Sequence, residues 1–220
     1  MKYSTLLTAA FLIFTFAFIV PAHSQAFRKG SLLIGLTEGS TSSTYSAGSD
    51  NSVHPIYCEP IHGVRDPLSL EYGITNHWGI GINAGGDIFN VDPNSFYGTR
   101  GLPTNVKAIT SEFTLDASYH FFVTQRNDLS LTASIGSSSV SIKGGENDNK
   151  YQYLANGSLL RFGIHARHYF CKRVGVIAML TTYSSACSPK FIAGNTFGNN
   201  YSTAIKGYAF ECGLCFRLRH

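Results

Sequence analysis

The chain has 220 residues, a formal net charge of +4 and only 14% charged side chains. A water-soluble domain carries about 25%, and the small positive excess is not clustered, which argues against a nucleic-acid-binding surface. Five cysteines, Cys58, Cys171, Cys187, Cys212 and Cys215, are odd in number and irregular in spacing, so they form no disulfide framework.

The first stretch, MKYSTLLTAAFLIFTFAFIVPAHSQA, places Lys2 before an apolar run from Leu6 to Val20 and then small residues, Ala22, Ser24 and Ala26. That layout predicts a secretory signal peptide over residues 1–26, cut after Ser24 or Ala26. The remaining 27–220 then form one exported domain of roughly 195 residues. No later apolar run is long enough for a membrane helix, which needs about 18 residues.

Alternation of apolar and polar residues predicts eight strands. Strand one covers Ser31 to Thr37, with Leu32, Ile34 and Leu36 on one face. A long polar segment, Glu38 to Pro67, reads as a loop. Strands two (Leu68–Thr75) and three (Trp78–Gly85) are joined by the short link Asn76-His77. A second long segment runs from Gly86 to about Lys107. Strands four and five form a hairpin between Ser111 and Ser139, turning over Thr124 to Asp128. Phe113, Leu115, Ala117, Tyr119 and Phe121 alternate with Glu112, Thr114, Asp116, Ser118 and His120. After the polar stretch Lys143–Gly157 come strands six (Leu160–His168) and seven (Val174–Thr182), turning at Cys171-Lys172-Arg173. A polar segment, Ser184 to Ser202, leads to strand eight, ending in Phe216 and Leu218.

Four long connections therefore lie at one end and three tight turns at the other. Membrane β-barrels have this asymmetry, and strands of about 9–11 residues suffice to cross the bilayer. Eight strands exposed to lipid must close, because lipid satisfies no open edge. The expected architecture is an all-β, eight-stranded antiparallel up-and-down transmembrane barrel with both termini periplasmic. The hairpin YGITNHWGIGINAG, the leader ending SQA and the last strand GYAFECGLCFRL resemble outer-membrane barrels of the OmpX/OmpA-transmembrane type, catalogued as porin-family or outer-membrane β-barrel proteins, especially those of Bacteroidota. The resemblance implies an outer-membrane location and a chain without the cell-wall-binding domain of larger relatives. It departs at the end of strand eight, where the family's terminal aromatic is replaced by Leu218-Arg219-His220.

The polar face carries Glu71, Glu112, Asp116, Arg161, His165, Arg167 and Glu211, which are expected to pair as a charge network plugging the lumen. His120 and Arg217 share that face. Trp78, Phe121, Phe122, Tyr169, Phe170 and Phe216 fall at the periplasmic ends of strands, where an aromatic girdle belongs. Cys58 and Cys187, in neighbouring loops, are candidates for a disulfide in an oxidising compartment. The glycines of Gly79-Ile-Gly81 continue a strand and do not open a nucleotide-binding helix, and Cys212-Gly-Leu-Cys215 lies in an alternating strand. No catalytic, cofactor-binding or metal-ligating set emerges.

The expected function is non-enzymatic: an envelope structural or surface-interaction protein whose loops meet an extracellular ligand. Outer-membrane lipid and lipopolysaccharide are the expected surroundings, and a monomer the expected state. The alternatives are a narrow pore for small solutes, a lipid-modifying enzyme, and a soluble exported lipocalin-like barrel with its apolar face inward.

Overall fold

The computed structural model describes residues 26–49, 57–91, 106–144, 151–193 and 201–219. Of residues 1–26, expected from sequence to be a signal peptide, only Ala26 lies among them. Ten strands follow in order: β1 (Leu32–Ser49), β2 (Tyr57–Arg65), β3 (Leu68–Gly73), β4 (Trp78–Gly85), β5 (Asp87–Val91), β6 (Val106–Val123), β7 (Asn127–Gly144), β8 (Tyr151–Tyr169), β9 (Val174–Ala193) and β10 (Tyr201–Arg219). All pairings are antiparallel, and β10 returns to pair with β1, closing the sheet.

The ring has eight staves because two of them are interrupted. β2 and β3 form one stave broken at Asp66-Pro67, and β4 and β5 form the next, broken at Gly86. Proline has no N–H to give the ladder. Across from it Gly85 is required: a Cβ there would stand 2.7 Å from Pro67 Cα. The register continues through the break, with Arg65 opposite Asp87 and Leu68 opposite Ala84.

Hydrogen-bonded partners followed once round the ring run Leu36, Leu68, Ala84, Phe113, Ser137, Ser158, Ala186, Ala204 and back to β1 at Ser46. The path returns ten residues higher on β1. That stagger is what tilts the strands of a closed barrel, by about 35–45°. The same row passes from apolar residues to serines and alanines, so the outer face changes character as it climbs.

The strands are longer than their alternation predicts, because the segments read as loops continue the ladder. Glu38–Ser49 and Tyr57–Arg65 pair with one another, and β6 to β10 each extend well past the apolar positions. Near the three tight turns, the outward face is apolar: Leu36, Leu70, Ile80, Leu115, Ile135, Phe162, Leu180 and Phe210 are all exposed. From Phe170 to Leu160 on β8 this belt is about 25 Å tall at such a tilt, the height of the apolar band of a membrane barrel. Higher up, the outward positions are Ser40, Thr44, His62, Ser111, Ser137, Ser158, Thr182, Ser188 and Lys190. Val64, Ile88 and Ile109 are an exposed apolar exception, side by side on β2, β5 and β6.

The interior does the reverse. Within the belt it carries the charged groups, beside a smaller apolar cluster of Ala26, Phe27, Leu33, Tyr169, Ile177, Met179 and Cys215 near the tight turns. In the upper half Tyr45, Ile61, Phe89, Ala108, Val140, Ile142, Tyr153, Ala155, Leu159, Tyr183, Cys187, Ile205 and Ala209 pack as one buried apolar cluster. One set of strands thus builds a membrane-type barrel below and a water-type barrel above, by exchanging the polarity of its two faces part-way along. A soluble lipocalin-like arrangement, apolar inside throughout, is not what the chain forms.

Candidate functional site in the barrel lumen

Two charge clusters cross the lumen. The upper one centres on Arg65, whose side chain is fully buried. Its Nη1 donates to Asp87 Oδ2 at 3.1 Å, its Nη2 to Glu112 Oε2 at 2.7 Å, and its Nε lies 3.0 Å from Glu211 Oε1. Arg161 also donates to Glu112. Thr110 donates to Asp87, Thr37 to Glu211, and the Arg65 guanidinium sits 5.8 Å from the Tyr183 ring centroid. Seven of the eight staves contribute, through β1, β2, β5, β6, β8, β9 and β10. Since alternate residues of every stave point inward, side chains far apart in sequence converge at one level.

The lower cluster lies toward the tight turns. Arg167 donates to Glu71 Oε2 at 2.5 Å and to Asp128 Oδ2 at 2.8 Å. His120 lies between the same two carboxylates, Nε2 2.7 Å from Glu71 Oε1 and Nδ1 2.7 Å from Asp128 Oδ1. An imidazolium, with two N–H donors, satisfies both contacts, and then two positive groups face two negative ones. The His120 ring is covered by Phe27, stacked at 3.4 Å with an interplanar angle of 8°. Ala26 and Phe27 are fully buried, and Ala26 N–H donates to Thr124 O at 2.7 Å. Gly30, at φ 83°, turns the chain from this plug into β1.

Of the residues singled out from sequence, Glu71, Glu112, Arg161, Arg167 and Glu211 belong to these clusters. Asp116 and His165 face the same lumen but bind hydroxyls: Thr114 donates to Asp116 at 2.7 Å, and Thr132 Oγ1 lies 3.3 Å from His165 Nδ1. Arg65, Asp87 and Asp128 are additions. The first two sat in segments read as loops, and Asp128 was counted in the turn although β7 begins at Asn127.

Trp78, Phe121, Phe122 and Phe170 stand exposed on the outer wall at the turn end, with Tyr119 5.0 Å from Trp78. Phe121 and Phe122 both reach the outside because the register shifts between His120 and Phe122. Phe216 is half-buried on the same wall. Tyr169 is a correction. It is buried in the lumen, beneath the Arg217 guanidinium at 4.6 Å, because its parity matches Arg167 and opposes Phe170. The Cys58–Cys187 disulfide is a second correction. Cys187 is a free thiol buried in the upper core, its Sγ donating to Ser138 O at 3.7 Å. The geometry expected of neighbouring loops fails because both cysteines lie within strands, on β2 and β9, with β10 and β1 between them.

No family profile and no characterised protein sequence matches the chain. Solved structures do. The outer-membrane protein OprG from Pseudomonas aeruginosa superposes with a TM-score of 0.53 at 10% identity, over 88% of this chain and 98% of that one. Neisserial surface protein A gives 0.48 at 11% identity, over 87% and 99%. The outer-membrane protein AlkL gives 0.45 at 12% identity, over 91% and 96%. At such identity the OprG likeness concerns the fold alone: the chain folds as an antiparallel barrel of the outer-membrane, eight-staved kind.

Proposed function

We propose that this chain is an outer-membrane barrel, both termini periplasmic, that acts by what it holds outside the cell and does not act as a conduit. The observation that carries this reading is the filled lumen. Phe27 and the Arg167–Glu71–His120–Asp128 cluster occupy the periplasmic end, the Arg65 cluster spans the level near the top of the belt, and a packed apolar core fills the barrel above. Paired charges in so narrow a space hold one another in place. The upper half, polar outside and apolar inside, is built to stand in water as a rigid pedestal, and functional loops are commonly carried on rigid scaffolds. The role is then non-enzymatic: envelope structure or surface interaction, with an extracellular ligand met at the loop end.

Outer-leaflet lipid, lipopolysaccharide included, is the proposed partner of the wall. A groove of about 550 Å³ on β8, β9, β10 and β1 has Leu160, Phe162 and Tyr208 at its lower edge and Ser42, Thr44 and Lys206 above. Apolar residues suit acyl chains, and the lysine and hydroxyls suit an anionic headgroup. The test is fractionation of cells expressing the full chain, with boiled and unboiled outer-membrane samples compared by gel migration. Recovery in the outer membrane with heat-modifiable migration is the expected result. Recovery in the soluble exported fraction would sink the reading.

A further inference from the structure

Two bonds at the end of the leader satisfy the small-residue rule for export processing: Ser24–Gln25, with Ala22 two residues before Ser24, and Ala26–Phe27, with Ser24 two residues before Ala26. Sequence alone does not choose between them. We propose that the leader is cut at Ser24–Gln25, so that Ala26 and Phe27 stay in the mature chain as the stopper of the periplasmic mouth.

Ala26 is fully buried, and its N–H makes a 2.7 Å hydrogen bond to Thr124 O in the turn between β6 and β7. It packs in one apolar cluster with Phe27, Leu33, Tyr169, Ile177, Met179 and Cys215. The following residues are tied as firmly. Arg28 N–H donates to Ser31 Oγ at 3.1 Å, Gly30 N–H to Gly73 O at 2.8 Å, and Gly73 N–H to Ser31 O at 2.9 Å. The space is reserved for this strap, since a Cβ on Gly73 would run into Arg28 O and approach Phe27.

Cutting after Ala26 would discard the Thr124 hydrogen bond and the buried methyl group. It would also place a new ammonium on Phe27, a fully buried residue whose ring lies flat on His120. A charge there loses its hydration inside the barrel, which is costly. Hydrolysis of Ser24–Gln25 avoids both penalties. Water gives its hydroxyl to the Ser24 carbonyl and a proton to the Gln25 nitrogen, and the new ammonium lies one residue before the buried pair.

This inference rests on the exported-barrel reading, and one experiment separates the two. The full chain is expressed with its own leader, and the folded protein is purified from membranes for intact-mass measurement and N-terminal peptide sequencing. The expected mature chain begins at Gln25, as glutamine or as its cyclised form after loss of ammonia. A chain beginning at Phe27 would overturn the cut site while leaving the barrel's export intact. A chain retaining the whole leader would overturn the export reading and the cut together.

Discussion

Arg65 and Glu112 are 47 residues apart in sequence and meet inside the barrel, Nη2 to Oε2 at 2.7 Å, both side chains almost fully buried. Glu112 also accepts from Arg161, so one carboxylate holds two guanidinium groups in the upper cluster. Removing it takes from Arg161 its ion-pair partner and from Arg65 one of three carboxylates. Glu112→Ala is expected to lower the unfolding free energy by about 3–5 kcal/mol, the usual cost of breaking a buried ion pair from one side. Urea unfolding in lipid vesicles measures this, with Lys172→Ala, in an exposed turn, as a control expected to change it by less than about 0.5 kcal/mol.

The exchange of polarity between the two faces predicts a height-dependent response on the outer wall. Leu115, 59% exposed, lies in the belt, whereas Ser188 is exposed near the top of β9. Leu115→Arg is expected to cost about 2–4 kcal/mol and Ser188→Arg about 0–1 kcal/mol. Equal effects in the same unfolding assay would show that the belt ends elsewhere.

Inside the upper half the order reverses. Ile142 is fully buried in the apolar cluster and Ser141, its neighbour, faces outward. Ile142→Ala is expected to cost about 2–5 kcal/mol, as for other core truncations. Ser141→Ala should stay within about 0.5 kcal/mol. A near-neutral Ile142→Ala would mean that the upper barrel is not packed as a core.

Orientation is tested at Cys171, an exposed free thiol in the turn between β8 and β9. Backbone hydrogen bonds from Arg173 and Val174 pull its pKa below the ordinary thiol value. A membrane-impermeant maleimide should therefore label it readily near neutral pH, but only after the outer membrane of whole cells is permeabilised. The label should disappear in Cys171→Ser. Labelling at Cys171 in intact cells would turn the barrel upside down.

The belt was legible in the sequence because Leu32, Ile34, Leu36 and their counterparts alternate with polar residues, and period 2 is a strong signal where one face meets lipid. The upper barrel was not, for a physical reason. There both faces are built from residues that also make loops: Ser40, Ser42 and Thr44 outside, with Pro67 and Gly86 interrupting the ladder. The apolar partners, Tyr45, Ile61 and Phe89, are too widely spaced to announce a strand. Arg65 and Asp87 went unseen with those segments. Glu71, Glu112 and Arg167 stood out because they occupy the polar face of strands whose apolar alternation is unbroken. Tyr169 was legible in principle, since it shares the parity of Arg167, but its place beside Phe170 at a strand end drew both into one girdle.

The measurement that bears most directly on the central claim is ion conductance of the purified, heat-modifiable barrel in planar lipid bilayers. With Phe27, two ion-pair clusters and the apolar upper core in series, no stable conductance steps above the bare membrane are expected. Reproducible steps, at a level that changes when Arg65 or Arg167 is replaced by alanine, would place a conducting path through the lumen and make the narrow pore the correct reading.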